Sequence, residues 1–366
     1  MKVAIIAPLV SAIREPQGGG SQAFVSDLAR GLAGRGHDVH VYAATGSQIP
    51  GATVIDTGVD PSSLVATLYR ASGPAAGGTV AAAAASAFAG VYSRVRESRY
   101  DVVHNHAFDA PAIGLASALN APVVHTLHLP PDAAIAAALR DAARRGRPPT
   151  VAGVSAFQAA AWSRAVPIDA ILPPYVPTRA IPWSAAAGHG AVFAGRLSPE
   201  KGAAEAIDIA QAAGIAIDVY GDTYDAAYAR EQIGPRREAP GVAVHGGVAR
   251  TSLWAAMARA AVVVCPARWD EPFGMAAAEA QACGTPVVAF KRGGLGEIIA
   301  DGVTGFLVAP GDLRGAADRV ARAAEISRPA CRAHAESHLD LERSLDAHEQ
   351  LYGRAVSHGA GTAVGG

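Results

Sequence analysis

The sequence predicts an α/β protein built from two doubly wound parallel sheets. Three observations support that class. Short β-branched runs alternate with Ala-rich helical stretches along most of the chain, as parallel strands joined by crossover helices do. At 366 residues the chain exceeds the usual single core. The strand pattern also restarts after "LPPYVPTRAIPWSAAAGHG" (172–190), a segment rich in Pro and poor in periodicity, as expected of a domain boundary.

The first half opens on "MKVAIIAPLV", read as a buried strand at Val3–Ala7; its one Lys and short apolar run lead to Arg14, Glu15 and Pro16 without a secretory cleavage pattern. Further strands are read at "DVHVYA" (38–43), "DVVHNH" (101–106), "PVVHTLH" (122–128) and "VAGVS" (151–155). "ASGPAAGGT" (71–79) reads as a flexible loop, and the alanine-rich "TVAAAAASAFAGVY" (79–92), too short to span a bilayer, as a soluble helix. The second half offers "AVFAG" (191–195), "IAIDVYG" (215–221), "VAVHGG" (242–247), "AVVVCPA" (261–267), "PVVAF" (286–290) and "FLVAP" (306–310). "SHGAGTAVGG" (357–366) reads as a disordered tail. The expected division is 1–175, 176–345, and a helix end with tail over 346–366. Ligands bind at the carboxyl ends of strands in such sheets, so a site in the cleft between the domains is expected.

Composition narrows the partners. Hydrophobic residues make up 50% of the chain, ample for two cores. Lys plus Arg (31) nearly balances Asp plus Glu (32), giving a formal charge of −1 and no basic footprint for nucleic acid. Cys265, Cys283 and Cys331 are widely separated and lack C-x-x-C spacing. That supports neither a disulfide framework nor a zinc site, and the expected compartment is a reducing cytoplasm. No transmembrane segment is read, while peripheral membrane contact stays open.

The most specific chemical signal is "DEPFGMAAAEAQACGTPVVAF" (270–290). Pro272, Phe273 and Gly274 form a turn after a strand, and "MAAAEAQA" is a helix. The Gly274 and Met275 amides then stand at a helix N-terminus suited to a phosphate, with Glu271 before the helix and Glu279 in its second turn. Two carboxylates so placed can accept hydrogen bonds from sugar hydroxyls on either side of a diphosphate; alone, Glu279 reads equally as a solvated helix residue. In "AVFAGRLSPEKG" (191–202), Ser198 reads as an N-cap and Pro199 as the first helical residue, which puts Lys201 at the third position, where the helix field is already positive. A cation there suits an anionic ligand, the alternative being an ordinary surface Lys.

"PQGGGSQAF" (16–24) follows the first strand and opens a helix, and its glycines let backbone approach a ligand closely. It is not the dinucleotide fingerprint. His104, His106 and His128 lie at strand ends; His104 and His125 are read as core residues, His106 as intermediate, and no spacing suggests a metal triad. Asp222 and Asp225 in "GDTYD" are read as a solvated loop rather than a metal-binding D-x-D. Glu297 reads equally as a helix cap or a ligand.

With these residues in view, the chain resembles the retaining glycosyltransferases of family 4, which have the GT-B fold of two facing Rossmann-like domains. The E-x7-E hallmark is Glu271 to Glu279, followed in family order by "ACGTPVVAF", "GGLGEII" (293–299) and "DGVTGFLV" (301–308); the likeness runs from the first strand to about residue 350. The resemblance implies a nucleotide-sugar donor held by the second domain and an acceptor held by the first. It implies that Arg196 and Lys201 hold the donor diphosphate, and that His128 contacts the donor sugar near its anomeric centre. Glu271 then holds a sugar hydroxyl, Glu279 the ribose, and Phe273, Gly274 and Met275 supply amides. Gly247 and Val248 of "HGGV" offer backbone groups to the nucleotide. His106 is a further candidate contact. Gly19 and Gly20 align with the family's GG-x-E loop, although Gln22 replaces its Glu; Pro174 and Tyr175 replace a common Asn-Gly pair.

The expected activity is retaining transfer of a sugar from a nucleotide diphosphate sugar, UDP favoured and GDP admissible, to a hydroxyl of a small natural product, glycolipid or cell-envelope intermediate. No metal or other cofactor is expected. A nucleotide-sugar epimerase of the same fold and a noncatalytic nucleotide-sugar binder are the alternatives.

Overall fold

A computed structural model describes residues 1–67, 78–146 and 148–362. The first sheet holds β1 (Lys2–Ile6), β2 (Asp38–Ala43), β3 (Thr53–Asp56), β4 (Val102–Asn105), β5 (Val123–Leu127), β6 (Thr150–Gly153) and β7 (Ala170–Ile171). Its order is β3-β2-β1-β4-β5-β6-β7 with every pair parallel. Helices cover both faces of such a sheet, so β1 reads as a near-continuous apolar run, while β4 and β5 bury His104, Asn105, His125 and Thr126 among their valines. The edge strands β3 and β7 escape the sequence reading: β3 has no fully buried residue and β7 has two residues.

The second sheet comprises β8 (Ala191–Ala194), β9 (Ile217–Tyr220), β10 (Val242–His245), β11 (Val262–Cys265), β12 (Val287–Phe290) and β13 (Gly305–Val308). It is again parallel throughout, in the order β10-β9-β8-β11-β12-β13. Both sheets reverse direction of winding beside their first strand, at β1/β4 and β8/β11, where loops diverge and leave room for a ligand.

Contacts divide the chain into a unit of Met1–Arg14, Ser21–Pro174 and the chain from Ser344, and a second of Glu15–Gly20 and Tyr175–Arg343. In the second unit, two buried arginines tie the segment after residue 180 to the helices. Arg328 donates to the carbonyls of Ser184, Ala258 and Ala260 at 2.8, 2.6 and 2.7 Å, and Arg332 to those of Ile181 and Ala282 at 3.1 and 2.7 Å.

The alanine-rich stretch forms the helix Gly78–Glu97; the loop read at 71–79 lies outside the described residues as far as position 77. The final helix, Leu341–Thr362, continues through part of the stretch read as a tail, and residues 363–366 lie outside the described residues. Leu345, Leu351 and Tyr352 bury one face of it. Among the described residues no helix is long and apolar enough to cross a membrane.

That helix completes a histidine-rich core in the first unit. His104 bonds the Tyr352 hydroxyl through Nδ1 at 2.6 Å and Thr126 Oγ1 through Nε2 at 2.7 Å, while His348 Nδ1 lies 2.6 Å from Ser344 O. His104 and His125 are core residues, as the sequence suggests. Burial holds His104 and His106 well below the ordinary histidine pKa, His125 and His348 at about 4, and His128 at about 3. As pH falls below 6.5, the unfolded chain binds protons that the folded chain refuses. Stability is therefore complete above that pH and drains away as pH falls from about 6.5 through about 4 and on to about 3. Thermal melts should show a midpoint lower by roughly 10 °C at pH 5 than at pH 7.5; a midpoint flat across that window would contradict the assignment.

Candidate active site

The candidate site residues of the second unit sit on loops at the carboxyl ends of its strands. After β8 the chain turns through Gly195–Gly202 before the helix Ala203–Ala212. The expected helix start at Ser198 and Pro199 is not what forms. Gly202 is the N-cap at φ +78°, and Lys201 N donates to Ser198 O at 3.2 Å in a turn that precedes the helix. The cause is a close approach: a Cβ on Gly202 would stand 2.2 Å from Pro266 O in the loop after β11, and only glycine adopts that left-handed backbone there without strain. Lys201 is thus held by the turn, outside the helix.

Its Nζ lies 2.7 Å from Glu271 Oε2, which also accepts the Trp269 indole N–H at 2.8 Å, and the ammonium stands 4.8 Å over the Trp269 ring. Glu271 is fixed from behind by glycines. Gly294 N donates to Glu271 O at 2.7 Å, and a Cβ on Gly293, at φ +59°, would fall 2.2 Å from that oxygen. The "GGLG" run is therefore a backbone platform for Glu271. Arg196 pairs with the buried Glu200 at 3.2 Å and stacks over Tyr224 at 4.2 Å.

The helix read at "MAAAEAQA" spans Met275–Ala282, with Gly274 as N-cap at φ +104°. A Cβ there would meet Leu295 Cδ2 at 2.6 Å. Glu279 lies in this helix, 6% exposed, and its Oε1 accepts from Arg250 Nε at 3.1 Å and from a terminal nitrogen at 2.8 Å. Arg250 also stands 4.8 Å over Trp254. The three pairs Arg196–Glu200, Lys201–Glu271 and Arg250–Glu279 balance cation against carboxylate. Phe273 is buried, with the Tyr175 ring 6.0 Å away, so one residue of the Pro174-Tyr175 departure packs on the E-x7-E loop.

Asp222 is exposed, in keeping with its reading as a solvated loop residue, and it also has a partner. Its Oδ1 accepts from Gly247 N at 2.7 Å and so shapes the loop carrying Gly247 and Val248, while Asp225 caps a short helix by accepting from Tyr228 N at 2.9 Å. Glu297 is exposed in the short helix Leu295–Ile298, whose N-cap is Gly294.

The helix Gly20–Gly34 begins directly after Gly19 and belongs to the first unit from Ser21 onward. Gln22 is buried; its Nε2 donates to Ser11 Oγ at 2.6 Å and its Oε1 accepts from Ser21 Oγ at 3.0 Å. His128 follows β5 and is half-buried, with Nε2 2.8 Å from Nδ1 of His106, which follows β4 and is fully buried. Among the described residues no group of three or more His, Cys, Asp or Glu could hold a metal ion.

Sequence reasoning missed Glu200, Arg250 and Trp269. The spacing of four between Arg196 and Glu200 offered a signal for the first, and Trp269 stands two residues before Glu271 in "RWDEP". Arg250 offered none, because its partner is 29 positions away and only the tertiary fold joins them.

Residues 189–337 match the family model described as Glycosyl transferases group 1, and residues 18–178 that described as Glycosyltransferase Family 4. A D-inositol 3-phosphate glycosyltransferase of Acidothermus cellulolyticus is 29% identical over 361 residues, covering 84% of this chain and 79% of that protein. One of Kribbella flavida is 62% identical over 50 residues, which cover 14% of this chain and 12% of that relative. Similar relatives are matched over only 23% to 26% of their length. The solved structure of Anabaena Alr3699/HepE in complex with UDP-glucose shares the fold with a TM-score of 0.73 at 20% identity, covering 98% of this chain and 100% of that one. With family matches across both halves and two doubly wound parallel sheets beneath them, the chain belongs to the group 1 glycosyl transferases of the GT-B fold.

Proposed function

We propose that this protein transfers a sugar, with retention, from a nucleotide diphosphate sugar to an acceptor hydroxyl without a metal ion. The observation that carries the reading is the set of cations and carboxylates around the turn before the Met275–Ala282 helix: Lys201 on Glu271, and Glu279 in the helix itself. A UDP-sugar is the favoured donor, in keeping with the UDP-glucose bound by the Anabaena relative in fold. Family membership favours transfer over the epimerase and noncatalytic alternatives.

In this reading Arg196, Lys201 and the Gly274 and Met275 amides receive the diphosphate. Negative charge grows on the leaving phosphate as the bond to C1 breaks, so these groups stabilise the transition state more than the ground state. A bond from the acceptor oxygen forms on the same face of C1, and the acceptor proton passes to a leaving phosphate oxygen. Glu271 holds a sugar hydroxyl and Glu279 the ribose, Phe273 shapes the sugar pocket, and Gly247 and Val248 border the nucleotide. His128 donates a hydrogen bond to the transferred sugar. The Gly19-Gly20 backbone and Gln22 serve the acceptor side, and cytoplasmic nucleotide sugars are the supply.

The two carboxylates should separate experimentally. Glu279→Gln, which keeps an oxygen for Arg250, should weaken UDP binding about tenfold through loss of a charged hydrogen bond to ribose. Glu271→Ala should not weaken UDP binding, and should tighten it by freeing Lys201, while depressing turnover. Calorimetric titration with UDP makes the comparison, and equal loss of affinity in both variants would refute the division.

Chelation gives a second check. With cations carrying the diphosphate charge, the initial rate of UDP release from UDP-glucose should be the same before and after exhaustive treatment with a chelator. A rate that collapses and returns only on adding magnesium or manganese rules out the metal-free reading.

A further inference from the structure

Imidazoles His106 and His128 meet at a tilt of 33° at the carboxyl ends of adjacent strands. His106 Nδ1 lies 2.8 Å from His128 Nε2, with ring centroids 5.1 Å apart. His106 is locked in place: its backbone N–H donates to Ile6 O at 2.9 Å, the His104 ring lies 4.0 Å away, and Phe24 packs edge-on at 6.2 Å. His104 already has a partner on each ring nitrogen, Tyr352 and Thr126. His106 has one on Nδ1 alone, for its Nε2 is buried without a hydrogen-bond partner among the described residues.

This asymmetry decides where the protons sit. Burial keeps both rings neutral, so each carries one N–H and one bare nitrogen. Were His128 to donate from Nε2, the His106 proton would be driven onto its Nε2, creating a buried N–H without an acceptor. Such orphaned donors are rarer in proteins than under-used acceptors. When His106 donates from Nδ1 instead, its Nε2 is merely a bare lone pair. His128 must then carry its own proton on Nδ1.

We infer that His106 is a positioning residue: its Nδ1–H holds His128 in the Nδ1–H tautomer and fixes the ring, so that half-buried His128 presents a neutral hydrogen-bond donor at the end of β5. The inference rests on the proposed role of His128 toward the donor sugar, and it replaces direct ligand contact by His106 with action through its neighbour. An imidazole freed from such an orienting partner samples both tautomers and several ring angles, and misplacement on that scale lowers turnover by roughly 10- to 100-fold.

The test uses the full chain, UDP-glucose as probe, and UDP release as the rate. His106→Leu should keep wild-type affinity for UDP and lose roughly 10- to 100-fold in kcat. His106→Asn, whose side-chain amide can donate to His128 Nε2, should recover most of that loss. A wild-type kcat in His106→Leu, with His128→Ala impaired, overturns the inference and leaves the proposed function standing. A wild-type rate in His128→Ala overturns both. Nitrogen-15 spectra of the histidine rings in the wild-type protein at pH 7 decide the matter independently of folding or turnover in any variant. His128 protonated on Nδ1 and bare on Nε2 is the expected result, and a proton on its Nε2 overturns the inference.

Discussion

A single charge-assisted contact, Lys201 Nζ to Glu271 Oε2 at 2.7 Å, sets the geometry of the second unit's loops. Charged hydrogen bonds of this kind are short and strong, but they require both partners to be held by rigid backbone. The chain supplies that backbone through glycine. Gly202 lets the turn bearing Lys201 lie against Pro266, and Gly293 and Gly294 let the loop after β12 lie against Glu271. Arg268 N donates to Glu200 O at 2.9 Å and joins the loops after β8 and β11 directly. A side chain at Gly202 or Gly293 would push apart the partners that the ion pair joins.

The first unit solves a different problem. Its strand ends carry neutral imidazoles, in tilted ring contact and bonded to one another in a core whose burial disfavours their charged form. Where the second unit's loops carry paired fixed charges, the first unit's strand ends carry an imidazole that stays uncharged through the physiological range.

Much of this was legible in the sequence because the physics was local. The central strands β1, β8, β11 and β12 are apolar runs, since helices cover both faces of a parallel sheet, and Gly274 opens the E-x7-E helix where a turn-forming triplet meets an alanine-rich run. Family resemblance then supplied candidate roles that spacing alone left open. What could not be read depended on approach between distant segments. The helix after β8 starts at Gly202 instead of Ser198 because Pro266 lies against it, although Ser-Pro is the better local start signal. The exposed Asp222 accepts from the Gly247 amide 25 positions away, and Arg250 and Glu279 pair across 29 positions. The histidines showed their strand-end positions, but the orphaned nitrogen that sets their tautomers emerges only when the core closes.

In the proposed reaction Lys201 is shared between Glu271 and the donor diphosphate, the anion displacing the carboxylate as it arrives. The most direct measurement is the dissociation constant of UDP for Glu271→Gln beside wild type at low ionic strength. Removing the carboxylate's charge frees Lys201 and lifts repulsion on the incoming phosphates, so the variant should bind UDP several-fold tighter, by about 1 kcal/mol. UDP bound more weakly by the variant than by wild type, or with unchanged affinity, would contradict the claim.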